Sequence, residues 1–249
     1  MKINIAENAD RLGKLAAAEA AAELQQVIKQ QGSARLLLST GASQFETLQH
    51  LVMEDVDWSK VEMFHLDEYV GLPKHHPASF RKYLQERFVD KAKGLKAAYF
   101  VDGEGDVKAM IAKLTAAIRK APIDVALIGI GENAHIAFND PPADFSTKDA
   151  YIVVNLDPRC RQQQVGEGWF ATVDDVPTQA VSMTVYQIMQ SKRIISCVPY
   201  KVKAEAVKLT MANDVTNKIP ATVLKTHPHW TLYLDDESAS LLEPVAPKG

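Results

Sequence analysis

The stretch IDVALIGIGENAHIAFNDPP, Ile123 to Pro142, decides how the chain is read. It begins as an apolar strand and then places Gly129, Gly131 and Ala134 at the spacing of the G-x-G-x-x-G/A dinucleotide fingerprint. Such a fingerprint opens a helix of several turns, and an acid ends the next strand about 20 residues later. Here Pro141 and Pro142 would stop the helix too soon, the segment lies mid-chain, and the next apolar run, YIVVN from Tyr151, ends in Asn155. The spacing therefore argues against a nicotinamide cofactor. In the alternative reading, the glycines let the chain turn sharply and approach a ligand, while Asn133, His135 and Asp140 carry the chemistry. A histidine beside a carboxylate can be held in one tautomer and pass protons near neutral pH.

Outward from this segment, apolar runs alternate with amphipathic ones. The runs are RLLLS from Arg35, VEMFHL from Val61, IDVALIGI from Ile123, YIVVN from Tyr151, RIISCV from Arg193 and WTLYLD from Trp230. Helical spacing covers Ala9 to about Gln30, Phe45 to Met53, Ser79 to Phe88, Val107 to Lys120 and Lys203 to Ala212. Strands apolar on both faces and separated by helices predict an α/β, Rossmann-like fold: a mostly parallel central sheet with helices on both faces. A single domain over residues 1–249 is expected. Asp157 to Pro177, with QQQVGEGWF, reads as weakly structured, either a surface loop or a lid over a site.

Composition narrows the function classes. The chain has 249 residues, 47% hydrophobic and 24% charged, enough for one sizeable core. A formal charge of −3 gives no electrostatic case for nucleic acid or an anionic membrane. Cys160 and Cys197 fit neither a zinc spacing nor a redox pair. With no leader-like or spanning apolar stretch, a cytoplasmic protein is expected.

In an open α/β sheet, ligands bind beyond the carboxyl ends of the strands. Polar groups follow the predicted strands there. After RLLL comes STGAS, in which Ser39, Thr40, Gly41, Ala42 and Ser43 either cradle an anion with backbone N–H groups and hydroxyls or simply cap a helix. Lys203, at the start of another helix, offers a compact positive charge. After VEMFHL come Asp67 and Glu68, of which alternation lets only one face the crevice. A carboxylate partly buried there would have a raised pKa, suited to proton abstraction.

These residues resemble the glucosamine-6-phosphate deaminase (isomerase) family, in the superfamily that also holds 6-phosphogluconolactonases. The resemblance runs over nearly the whole chain, through STGAS, FHLDEYVGLPKHHPASF, GIGENAHIAFNDP, VPTQAVSMTV, KAEAV and THPHWTLYLDDES. The lactonase branch typically carries a GHTASLFP-like ending that AHIAFNDP does not match. The resemblance implies a sugar-phosphate substrate and conversion of glucosamine 6-phosphate and water to fructose 6-phosphate and ammonia, without metal or organic cofactor. It implies Asp67 as the base at C2, His135 in ring opening with Asp140 as acidic partner, and Asn133 where some members have Asp. Ser39 to Ser43, Gly131 and Lys203 fall in the substrate- and phosphate-binding positions. Ala134 stands where Gly is usual, and Asp140 is shorter than the commoner Glu. The family's phosphate-binding arginine is missing near GEGWF, where Arg159 or Arg161 would have to substitute. A lactonase and a non-catalytic sugar-phosphate sensor are the competing readings; the absence of an appended DNA-binding segment and the retained acid/base residues count against the sensor. Homo-oligomerisation is left open.

Overall fold

The computed structural model describes residues 1–166 and 168–242, apart from the side chains of Arg159, Cys160 and Gln163. Its framework is a seven-stranded, wholly parallel sheet in the order β1-β10-β9-β6-β2-β3-β5. The strands are β1 (Lys2–Ala6), β2 (Ala34–Leu38), β3 (Val61–His65), β5 (Ala97–Tyr99), β6 (Val125–Leu127), β9 (Arg193–Val198) and β10 (Trp230–Asp235). The chain builds β2, β3 and β5 outward in one direction, then returns to lay β6 on the other side of β2. That reversal opens a crevice between the carboxyl ends of β2 and β6, where doubly wound sheets take their ligands.

The sheet is covered on both sides because its strands have no polar face. Leu36, Leu37 and Leu38 of β2 are all fully buried. Leu36 and Leu38 pack with α1 (Ala9–Gln31), α2 (Phe45–Leu51) and α3 (Phe80–Leu84). Leu37 faces the opposite side, toward α4 (Val107–Ile118), α6 (Val185–Met189) and α7 (Ala204–Ala212). Each such leucine contributes roughly 1.5–3 kcal/mol of burial. The helix α1 starts on Asn8, whose side chain accepts from the Arg11 N–H at 2.9 Å, and ends on left-handed Gly32 at φ 79°. No helix among the described residues is long and apolar enough to cross a membrane.

Two expectations need correction. YIVVN does not join the parallel sheet. As β7 (Tyr151–Asn155) it pairs antiparallel with β8 (Gln179–Met183), which pairs with β4 (Asp67–Tyr69) in a separate three-stranded sheet. The reason is that this run is apolar in composition but unevenly buried: after Tyr151, Val153 and Asn155 on one face are exposed while Ile152 and Val154 on the other are half-buried, as in antiparallel sheets with one wet face. Nor is residue range 157–177 weakly structured, since Pro158–Gly166 forms the helix α5 and Val173–Asp175 a 3-10 turn. The capping box between Thr172 and Asp175 fixes that turn. Glu167, inside the predicted lid, lies outside the described residues.

Gly13 sets how closely α1 and α2 approach: a Cβ there would lie 2.7 Å from the carbonyl carbon and Cβ of Glu46. Ala in place of Gly inside a helix ordinarily gains about 1 kcal/mol. Gly13→Ala is nevertheless expected to lower unfolding stability by a net ~1–3 kcal/mol in a urea titration, because the helices must separate. Unchanged or increased stability would show that the contact yields without strain.

Candidate active site

Loops leaving β2, β3, β6 and β9 wall a cavity of about 560 Å³ at the crevice. The loops of β2 and β6 are stitched together at the switch point. The Ser39 N–H donates to the Leu127 carbonyl at 3.1 Å, and the Ser39 hydroxyl accepts from the Gly129 N–H at 3.2 Å. A Cβ on Gly129 would sit 3.3 Å from Gln44 Nε2, a tight contact, and 3.8 Å from the hydroxyls of Ser39 and Ser43, so the two loops approach closely here.

Beyond Ser39, the chain turns at Gly41, whose φ of 103° is open chiefly to glycine, and enters a 3-10 turn, Ala42–Gln44, that runs into α2. The N–H groups of Gly41, Ala42 and Ser43 open this turn without an acceptor among the described residues. Together with the Ser39, Thr40 and Ser43 hydroxyls they make a cradle suited to an anion. The Gly41 carbonyl is held by the Tyr83 hydroxyl at 2.9 Å. Across the cavity, Lys203 closes the 3-10 turn Lys201–Lys203 and lines the same space.

Asp67 sits at the junction of the two sheets. The residue is 6% exposed and lines the cavity, and its carboxylate has no hydrogen-bond partner among the described residues. Burial, and secondarily the charge of Glu68, push its pKa well above the ordinary carboxylate value. Glu68 points the other way, as alternation along β4 requires. It is fully buried and accepts from the backbone N–H groups of Tyr69, Phe80 and Arg81 and from the Ser79 hydroxyl, with the Arg81 guanidinium 3.4 Å away. Its role is to fold the loop over residues 70–80, which returns Ala78 and Phe80 to the cavity.

His135 is presented by a tight turn in which the Gly131 N–H donates to the His135 carbonyl and the Ala134 N–H to the Gly131 carbonyl, both at 2.9 Å. Ala134 has φ 62°, so the left-handed conformation that glycine would supply is adopted here by alanine. His135 Nδ1 lies 2.6 Å from Asn133 Oδ1 and 3.1 Å from Asp140 Oδ1. Asn133 Nδ2 donates to Asp140 Oδ1 at 3.1 Å, which fixes the amide orientation. Two acceptors at Nδ1 place the ring proton there and leave Nε2 as the acceptor of the neutral imidazole. Burial alone would raise the Asp140 pKa, but the hydrogen bond and charge of His135, with the Asn133 amide and Asp157 backbone, bring it below the usual carboxylate range. The shorter acid thus still reaches its histidine.

The structure therefore brings together Ser39 to Ser43, Asp67, Gly131, His135 and Lys203 as cavity lining, with Asn133 and Asp140 directly behind His135. Glu68 and Arg161 are not part of the lining; Arg161 Nη2 donates instead to the Val173 carbonyl. The Arg159 side chain lies outside the described residues. Gln162, Gln164, Trp169 and Tyr200 also line the cavity, although the sequence reading assigned them no role. Tyr200 had no visible signal, because its place depends on a backbone turn that only glycine would have advertised. Among the described residues, no cluster of three or more His, Cys, Asp or Glu side chains could hold a metal ion.

Comparison with known proteins agrees with this geometry. A family described as glucosamine-6-phosphate isomerases/6-phosphogluconolactonase matches residues 7–233. A glucosamine-6-phosphate deaminase of Lactobacillus delbrueckii subsp. bulgaricus is 32% identical over 244 residues, 98% of this chain and 100% of the relative. One from Streptococcus pneumoniae is 36% identical over 213 residues, 85% and 88% of the two chains. Among solved structures, a monomeric glucosamine-6-phosphate deaminase superposes with a TM-score of 0.86 at 29% identity, covering 97% of this chain and all of the other. A 6-phosphogluconolactonase from Trypanosoma brucei reaches a TM-score of 0.74 at 16% identity over 97% and 98%, a likeness of fold alone.

A Cβ on Gly131 would fall 2.2 Å from Cε1 and Nε2 of His135, so Gly131→Ala must displace the ring. We expect turnover to drop about 100-fold or more, the usual consequence of misplacing a catalytic group by an ångström, with melting temperature near the parent's. Parental turnover in this variant would show that His135 need not occupy this position.

Proposed function

The chain belongs to the glucosamine-6-phosphate isomerase/6-phosphogluconolactonase family, and from that premise we propose that it is a glucosamine-6-phosphate deaminase. It converts glucosamine 6-phosphate and water to fructose 6-phosphate and ammonia. The observation that carries this reading is the pairing, in one cavity, of a buried carboxylate without a hydrogen-bond partner among the described residues, Asp67, with a histidine whose Nδ1 faces two acceptors, Asn133 and Asp140. Curated relatives of that name match over nearly the full length of both chains.

In this reading, the phosphate rests on the N–H groups and hydroxyls of residues 39–43, with Lys203 opposite. His135 Nε2 accepts the anomeric hydroxyl proton and returns a proton to the ring oxygen, opening the pyranose. Asn133 and Asp140 hold the imidazole and stabilise its positive charge while it carries the extra proton. Asp67 then removes the C2 proton of the open-chain aldehyde while the substrate's own ammonium gives up the proton that O1 takes, forming an enolamine; Asp67 delivers its proton to C1, leaving a hydroxymethyl group there and an iminium at C2. Water adds to that carbon, and the carbinolamine expels ammonia to give the ketose. Burial serves Asp67 twice, since a carboxylate stripped of hydrogen bonds is a stronger base and lies close to a carbon acid that offers no hydrogen bond of its own.

The whole chain is read as a single domain, whose loops line the cavity. Helix α5 and the turn after it, which bring Gln162, Gln164, Gly166 and Trp169 to the cavity, take the place of a lid. A cytoplasmic setting fits the phosphorylated substrate and the free, buried Cys197.

Purified protein should release ammonia and fructose 6-phosphate stoichiometrically from glucosamine 6-phosphate and leave 6-phosphogluconolactone intact. Asp67→Asn should lower kcat by at least about 10³-fold while still binding the substrate; near-parental turnover would remove Asp67 from the role of base. Because Asp67 must be ionised to act and its pKa is raised, kcat/KM should fall as pH is lowered through a value well above 3.8. An acid limb at an ordinary carboxylate value would contradict the buried base.

A further inference from the structure

Tyr200 lines the cavity in a backbone conformation that a bulky residue rarely adopts, with φ 78°. Two carboxylates hold it there. Its N–H donates to Asp235 Oδ1 and Oδ2 at 3.1 and 3.0 Å, and its hydroxyl donates to Glu46 Oε1 and Oε2 at 2.9 and 3.0 Å. Its carbonyl accepts from the Lys203 N–H at 3.0 Å and so opens the turn that carries this lysine. Burial, and then the hydrogen bond to the Glu46 carboxylate, raise the phenol's pKa, so it remains a donor throughout the working range.

The partner of that hydroxyl has the wrong sign for its neighbourhood. Glu46 stands in the first turn of α2, three residues after Ser43, beside the loop read above as the phosphate cradle. A free carboxylate there would repel a phosphate dianion across a partly buried space where screening is weak. Glu46 does not line the cavity; Tyr200 does, and its one hydroxyl engages both carboxylate oxygens. The same residue thereby joins the loop of β9 to α2, the two walls of the anion end.

We propose that Tyr200 is a positioning residue for the phosphate end of the substrate: its hydroxyl ties Glu46 back from the anion site, while its strained backbone sets the turn that presents Lys203. This rests on reading residues 39–43 and Lys203 as the phosphate site, and the test separates the two ideas. Equilibrium binding of glucitol 6-phosphate, a non-reactive open-chain sugar phosphate, is compared with binding of glucitol for the parent, Tyr200→Phe, Glu46→Gln and the double variant.

Parent protein that binds both ligands equally would overturn the phosphate site itself. If the parent prefers the phosphate, Tyr200→Phe should weaken glucitol 6-phosphate binding on the order of tenfold and raise KM for glucosamine 6-phosphate by more than it lowers kcat. Glu46→Gln, which keeps an acceptor but no charge, should bind at least as tightly as the parent. Adding Glu46→Gln to Tyr200→Phe should bring affinity back to within about twofold of the parent, which a lost structural tether alone would not do. Parental affinity in Tyr200→Phe, no recovery in the double variant, or weaker binding in Glu46→Gln alone would each overturn the proposal.

Discussion

The site depends on what happens to the backbone at Leu66. Its N–H donates to the Leu38 carbonyl at 3.2 Å, which continues the parallel sheet, and its carbonyl accepts from the Met183 N–H at 3.0 Å, which begins the antiparallel one. One residue thus belongs to both sheets, and the next, Asp67, emerges where they diverge. The Leu66 side chain is buried in the core, so this junction is anchored by packing as well as by hydrogen bonds. A catalytic carboxylate on an ordinary surface loop would be hydrated and its acidity unexceptional. Here two sheets hold it against water, and the desolvation that raises its pKa follows from the fold.

The remaining acids are kept from interfering by partners of their own. Glu68 would crowd Asp67 if it shared the cavity, but its hydrogen bonds to Ser79 and three backbone N–H groups, beside the Arg81 guanidinium, turn it into the anchor of the loop over 70–80. Arg81 in turn reaches the Leu72 carbonyl, Asp102 and Glu104. Asp140 is bound to His135 and Asn133. Asp67 is left as a carboxylate facing the cavity without a hydrogen bond among the described residues, the freedom that its proposed role as base requires.

Much of this was legible in the sequence because it follows from local rules. Runs such as RLLL and RIISCV are apolar on both faces, so they predict central parallel strands, and the small or polar residues after them predict the ligand end. YIVVN misled because composition hid its alternation; β1 and β5 were missed because they are short or polar strands at the edges of their sheet, and β8, the middle strand of the small sheet, because QAVSM is short and interrupted by polar residues. Pro158–Gly166 reads as loop because its glutamines and terminal glycine carry little helical periodicity; the 3-10 turn capped by Thr172 and packing of Phe170 in an aromatic cluster give it its place. Local rules alone could not distinguish Glu68 from Asp67, since adjacent acids differ only in which side of β4 each faces; only the family resemblance pointed to Asp67.

Ala134 shows how the site tolerates a departure from the commoner glycine. A non-glycine residue in the left-handed region costs about 1–2 kcal/mol. Against that, the Ala134 side chain is fully buried in the core cluster, and a buried methyl is worth about 0.8 kcal/mol. Alanine also restricts the unfolded chain relative to glycine by about 0.4–1 kcal/mol. The opposing terms nearly cancel, so alanine can hold the turn without loosening it, and the Ala221 N–H bond to the Ala134 carbonyl at 2.9 Å pins the result. The three non-glycine residues of positive φ among the described residues, Ala134, Ala137 and Tyr200, all lie in loops around the cavity. Strain concentrates where two backbone walls must hold acid, base and anion groups at fixed positions, and the surrounding core is what keeps it there.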